Sequence, residues 1–294
     1  MERRKIAMIF RAKPVMEGAG VKLKRAFGYF EAPLLDPFLL LDDFRSDSKE
    51  DYIKGFPWHP HRGIETITYV IYGDVEHGDS LGNKGTISSG DVQWMTAGSG
   101  IIHEEMPKGD GDGRMGGFQL WTNLPASLKM CSPRYRDVKS EDIPSLVTDE
   151  GARIKVICGK VDGASGPVKD IASNPEYLDI TLDSASNYLH LTKKGHTVVV
   201  YVIEGSAFFG DSSDPDKELE GKDTQIEKES AILFGDGDKM EARAGERGCR
   251  FLLLSGMPLG EPVAWRGPIV MNSEEELETA FDEYRRGTFI RDAS

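Results

Sequence analysis

The stretch "TITYVIYG", residues 66–73, decides the fold. Its β-branched and aromatic residues read as a strand that the glycine closes. The run returns in the second half of the chain, where Tyr69-Val70-Ile71-Tyr72-Gly73 is matched by Tyr201-Val202-Ile203-Glu204-Gly205. Further on, "GFQLWTNLP" (117–125) is echoed by "RFLLLSGMP" (250–258). Two echoes in the same order, at nearly the same offset, predict a duplicated β-barrel. Other short β-rich runs, among them "GTISSGDVQWM", "RIKVICGKV", "YLDITL" and "SAILFGDGD", are separated by Gly, Asp, Asn and Pro. The expectation is an all-β chain with one barrel over 1–135 and a second over 136–294. The polar, proline-bearing "SPRYRDVKSEDIPSLVTDEG" bridges them. Strong helical periodicity appears only in "SEEELETAFDEYRRG" (273–287), where Ser273 and Glu276 offer a capping box and Gly287 a stop.

Composition narrows the function. The chain has 294 residues, 39% of them hydrophobic and 29% charged, as in a soluble globular protein. A net charge of −13 argues against a general nucleic-acid binder, whose affinity rests on neutralising phosphates. Cys131, Cys158 and Cys249 are few, odd in number and far apart, so neither a disulfide framework nor a zinc ribbon is expected. The N-terminal apolar run is too short for a signal peptide, and no window approaches a transmembrane helix. The expected compartment is the cytoplasm.

Chemistry concentrates in "GFPWHPHRGIETITYV", residues 55–70. His59 and His61 stand at i and i+2 where an extended run begins, so both imidazoles point to one face. Four of the six histidines fall between 59 and 103. His103 follows "GDVQWMTAGSGII", a strand and a small-residue turn, and Glu105 shares its face by the same parity. Glu65 lies four and six residues beyond His61 and His59, so parity admits it as well. Three imidazoles and one carboxylate suit Fe(II), and also Mn, Co, Ni, Cu or Zn. His77 is open to two readings, a pocket-lining donor or proton carrier and a satisfied structural histidine. Phe56, Trp58, Trp94, Met95, Met106 and Phe118 are the candidate apolar walls.

"GFPWHPHRGIETITYV" followed by "GTISSGDVQWMTAGSGIIHEEMP" resembles the two signature motifs of the pirin family, within the bicupin superfamily. "LLDPFLLLDDF", "QLWTNLP" and "GPIVMN" carry the resemblance over nearly the whole chain. The first motif matches a cupin H-x-H-x3-E. The second departs from the cupin pattern, with Thr96 in place of a proline and two extra residues after Ala97-Gly98. The resemblance implies two tandem cupin β-barrels, with His59, His61, His103 and Glu105 as iron ligands. It thereby prefers Glu105 to Glu65, which becomes a neighbour able to orient a ligand. The second half puts Leu191 and Lys193 at the positions of His59 and His61, and Ala242 and Ala244 near those of His103 and Glu105. That barrel is expected to be a metal-free scaffold, with His190 and His196 as ordinary surface or core residues.

Some pirins are similar in function to the quercetin 2,3-dioxygenases, which open a flavonol ring with dioxygen. The resemblance therefore implies a small aromatic substrate, dioxygen and Glu105 as both ligand and general base. It also implies an alternative, an iron-dependent redox-sensing regulator that binds a protein partner such as a transcription factor without turnover. A third reading is a relic site. Two barrels that bury faces against each other would satisfy a monomer.

Overall fold

The structure, a computed structural model, describes residues 1–210 and 225–291. The chain forms two compact β-rich units. One comprises Met1–Ala12 and Ile143–Pro258, the other Lys13–Asp142 and Leu259–Ser294. Relative to the linear division at 135/136, the internal crossover lies at 142/143 and the two chain ends change units. Strand-edge chemistry gives the reason, because an open edge presents unpaired N–H and C=O groups. Ile6–Arg11 supplies the edge partner of Ser230–Phe234, with Ile9 opposite Ile232. At the other end, Val270 N–H donates to the Arg62 carbonyl at 3.1 Å. Leu277, Ala280 and Phe289 then bury themselves with Ile269, Met271 and Ile102. The helix Glu274–Arg286 has the expected capping box and ends at Gly287 in the left-handed region.

In the unit that carries the histidine motif, a seven-stranded antiparallel sheet runs in the order Arg134–Val138, Val92–Thr96, Ile64–Tyr72, Gly116–Asn123, Phe38–Asp43, Val21–Phe27, Lys13–Glu17. A four-stranded antiparallel sheet follows the order Phe56–His61, Ile101–Lys108, Asp74–Asp79, Lys84–Ile87. The echoed glycines explain part of this layout. Gly73 has φ of 81° and ends the strand Ile64–Tyr72, after which the chain enters the smaller sheet. Gly205 has φ of 67° and sits where the register of Thr197–Phe209 shifts. Both positions need the freedom that glycine has. The echoed segments also pair with each other, Phe118 opposite Tyr69 and Leu252 opposite Tyr201.

The other unit is a nine-stranded sheet built around Thr197–Phe209 and Lys239–Gly256. Its interior is packed by Ile180, Val200, Met240 and Phe251, among others, and Ala242 and Ala244 belong to that core. Leu191 is exposed. His190 is buried between the Tyr188 hydroxyl at 3.0 Å and the Glu176 carboxylate at 3.3 Å, while His196 lies 3.4 Å from the Ser255 hydroxyl. No described helix is long and apolar enough to cross a membrane.

Candidate metal centre

The two histidines of Phe56–His61 and His103 of Ile101–Lys108 come together because these strands are neighbours in register. His103 lies opposite His59, and Ile101 opposite His61. One ligand atom from each of the three imidazoles falls within a group spanning 4.8 Å. Among the described residues no other such group of His, Cys, Asp and Glu occurs.

The hydrogen bonds fix what these rings offer. His59 Nδ1 lies 2.9 Å from the Pro57 carbonyl and His61 Nδ1 lies 3.0 Å from the Pro268 carbonyl. A carbonyl only accepts, so each Nδ1 carries the proton and each Nε2 presents a lone pair. The two Nε2 atoms are 3.1 Å apart. Neither nitrogen of His103 has a hydrogen-bond partner, although the ring is buried. Burial lowers the pKa of all three rings, most strongly for His61 and His103, and the neighbouring imidazoles add to the effect at those two. Three neutral imidazoles with lone pairs converging in a buried place fit a transition-metal cation.

Glu105 stands two residues from His103, but the pairing with Phe56–His61 shifts between them, so it lies opposite Phe56. Its carboxylate is buried and sits outside the imidazole group, 3.1 Å from the Thr68 hydroxyl. Burial raises its pKa to about 7 against the smaller opposing effect of that hydrogen bond.

Glu65 goes elsewhere. Its carboxylate accepts from the Thr96 hydroxyl at 2.7 Å and the Thr122 hydroxyl at 3.4 Å, and burial raises its pKa. The parity that made it a rival does not carry across Gly63, where φ is 77° and the chain passes to the other sheet. His77 lies outside the cavity. Its Nε2 accepts from the Gln93 amide at 3.0 Å and its ring stacks on Tyr135.

A cavity of about 580 Å³ opens on the centre, with His59, His61 and Glu105 in its wall. Of the expected apolar walls, Phe56 lines it. Trp58 is half-exposed and outside it, and Trp94, Met95 and Phe118 are buried away from it. Met106 alternates with Glu105 along the strand and points away. Aromatic walls that the sequence reading missed are Tyr29, Tyr52, Trp121 and Trp265. Parity held the signal for one of them, since Gln119 and Trp121 share a cavity face while Phe118 lies on the opposite one, under the Arg45 guanidinium. Trp121 also meets His61 edge to face, ring centroids 5.0 Å apart. Trp265 comes from the C-terminal hairpin, too far along the chain for local pattern to place.

Two β-units, one holding converging imidazoles above a cavity and the other cored by apolar side chains, define a bicupin. The chain belongs to the pirin family. The family model described as Pirin matches residues 20–122, and that described as the Pirin C-terminal cupin domain matches residues 177–290. A pirin-like protein of Caulobacter vibrioides is 41% identical over 290 residues, which are 98% of this chain and 100% of that protein. Pirin-1 of Arabidopsis thaliana is 39% identical over 277 residues, covering 93% of this chain and 90% of that one. A crystal structure of quercetin 2,3-dioxygenase from Acinetobacter baumannii superposes with a TM-score of 0.86 at 32% identity, covering 98% of both chains.

Proposed function

We propose that this chain is a metal-dependent dioxygenase that opens the ring of a flavonol such as quercetin, with Fe(II) held by His59, His61, His103 and Glu105. The observation that carries the reading is the convergence of three neutral imidazoles on an aromatic-walled cavity, with both nitrogens of His103 unpartnered. The likeness to a structure titled quercetin 2,3-dioxygenase supports the substrate class. Mn, Co, Ni, Cu and Zn also suit such donors, and availability decides among them. The free thiols suit a reducing cytosol.

When bound, the metal supplies Lewis-acid polarisation of the flavonol's adjacent hydroxyl and carbonyl and electron exchange with dioxygen. The chain's own residues do the rest. The carbonyls of Pro57 and Pro268 hold two imidazoles in the tautomer that presents Nε2. Glu105 takes the proton of the substrate hydroxyl, while Thr68 steadies one of its oxygens. Trp121 and Trp265 flank the flat substrate and exclude water.

The test is metal analysis of the purified chain, followed by oxygen uptake with quercetin. Near-stoichiometric transition metal and flavonol-dependent uptake, both reduced in His59→Ala, with uptake lost in Glu105→Gln, are the expected results. Metal without uptake would replace this reading with the partner-binding regulator. Unchanged metal in both variants would place the centre elsewhere.

A further inference from the structure

The larger sheet of the cavity-bearing unit sets four polar side chains in one row. Thr68 is the register partner of Gln119, Gln119 of Asp42, and Asp42 of Arg25. All four line the cavity. With strands about 4.8 Å apart, three intervals carry the row roughly 14 Å across the sheet. It begins at Glu105, 3.1 Å from the Thr68 hydroxyl, and ends at Glu17, 2.9 Å from the Arg25 guanidinium.

The bonds within the row leave particular atoms free. The Thr68 hydroxyl lies 2.6 Å from Gln119 Oε1, and Arg25 makes two bonds of 2.8 Å to the buried Asp42 carboxylate. Among the described residues, neither Gln119 Nε2 nor Arg25 Nη1 makes a hydrogen bond. Neither is sealed from solvent. The far end therefore offers a free N–H of Arg25 beside two carboxylates, with the guanidinium between them. A phosphate or carboxylate ligand would meet a net negative charge there. A phenolic hydroxyl meets what it needs, since it donates to a carboxylate and accepts from an N–H. Leu23 and Leu40 keep the same stretch of wall apolar, which suits the face of a ring.

We infer that Gln119, Asp42, Arg25 and Glu17 form a second subsite, which binds the hydroxylated far ring of a planar polyphenol whose near end reaches Glu105 and the imidazoles. The inference rests on the flavonol reading of the centre. It adds that oxygen substituents on the far ring set which flavonols bind.

The experiment measures binding to the purified, metal-loaded full chain under nitrogen, so that no turnover occurs. Two flavonols of one skeleton are compared by tryptophan fluorescence quenching, one with two hydroxyls on the far ring and one with none. The hydroxylated ligand should bind about tenfold tighter or better, the usual effect of a hydrogen bond to a charged group. Glu17→Gln and Gln119→Leu should each erase most of that advantage. Equal affinities of the two ligands for the unaltered chain would overturn the subsite, whether or not the variants fold. So would full discrimination in both folded variants. Discrimination that persists without oxygen uptake would sink the dioxygenase reading and leave the subsite standing. Uptake without discrimination would do the reverse.

Discussion

The Nε2 atoms of His59 and His61 face each other at 3.1 Å, while both Nδ1 atoms are committed to backbone carbonyls. Two lone pairs at that separation repel, and a cation between them turns the repulsion into coordination. Metal should accordingly stabilise the fold strongly. A ligand at a thousand times its Kd adds about 4 kcal/mol, and for a chain of this size each kcal/mol moves Tm by roughly 2–4 °C. Calorimetry with and without a chelator should show a fall on the order of 10 °C, reversed by added Fe(II) or Mn(II). His61→Ala should no longer respond. A melting curve indifferent to chelator and metal would remove the centre from this protein.

The two candidate carboxylates should separate cleanly. Glu65→Gln keeps an acceptor for the Thr96 hydroxyl and gives up only the longer Thr122 bond, so it should cost about 1 kcal/mol and leave metal content intact. Glu105→Gln should weaken metal retention on dialysis by tenfold or more, at least what losing a partner in the outer shell costs. Equal metal loss in both variants, or loss in Glu65→Gln alone, would reverse the assignment.

What made the fold and centre legible was short-range pattern. Strand period put His59 with His61, and the turn before His103 returned the chain to the same sheet. The echo at Gly73 and Gly205 was readable because both positions need positive φ. The failures came where the pattern is interrupted. Parity was carried from His61 to Glu65 across Gly63, where the strand ends and the count restarts. Trp94, Met95 and Phe118 have the apolar character of cavity walls, yet an apolar side chain serves either face of a sheet. Trp265 and the exchange of the two chain ends depend on contacts far apart in sequence, which no local periodicity encodes.

Asp42 should give stability a distinct pH signature. Burial, the largest influence, lifts its pKa from 3.8 to about 6, with Arg25 opposing. The folded state therefore holds a proton that the unfolded state has released between these values. Stability must then fall as pH rises through this window, by about 3 kcal/mol for this one group. Urea unfolding of the unaltered chain and of Asp42→Asn, compared at pH 4 and pH 6.5, isolates the contribution. The variant's stability should lack this component of decline, while its Arg25 stays paired with Glu17. Parallel pH profiles would show that Asp42 is ionised throughout.

Lys129 clamps the turn that follows the histidine strand. Its buried ammonium donates to the Gly63 carbonyl at 2.9 Å, the Asn123 side chain at 2.5 Å and the Val270 carbonyl at 2.9 Å. One cation thus ties three strands: the start of Ile64–Tyr72, the end of Gly116–Asn123 and the C-terminal Ile269–Met271. Burial pulls its pKa down to about 7, a sign that the charge is held at a cost. The same three acceptors would be left dry by Lys129→Met, which should lose about 3 kcal/mol or more of stability. Because Pro268 accepts from His61 one residue before Ile269, a loosened Val270 also frees that ring. Metal affinity should drop with stability, although Lys129 touches no imidazole. Chemical denaturation and metal titration of the variant check both, and unchanged metal affinity in a destabilised but folded variant would confine Lys129 to holding the fold.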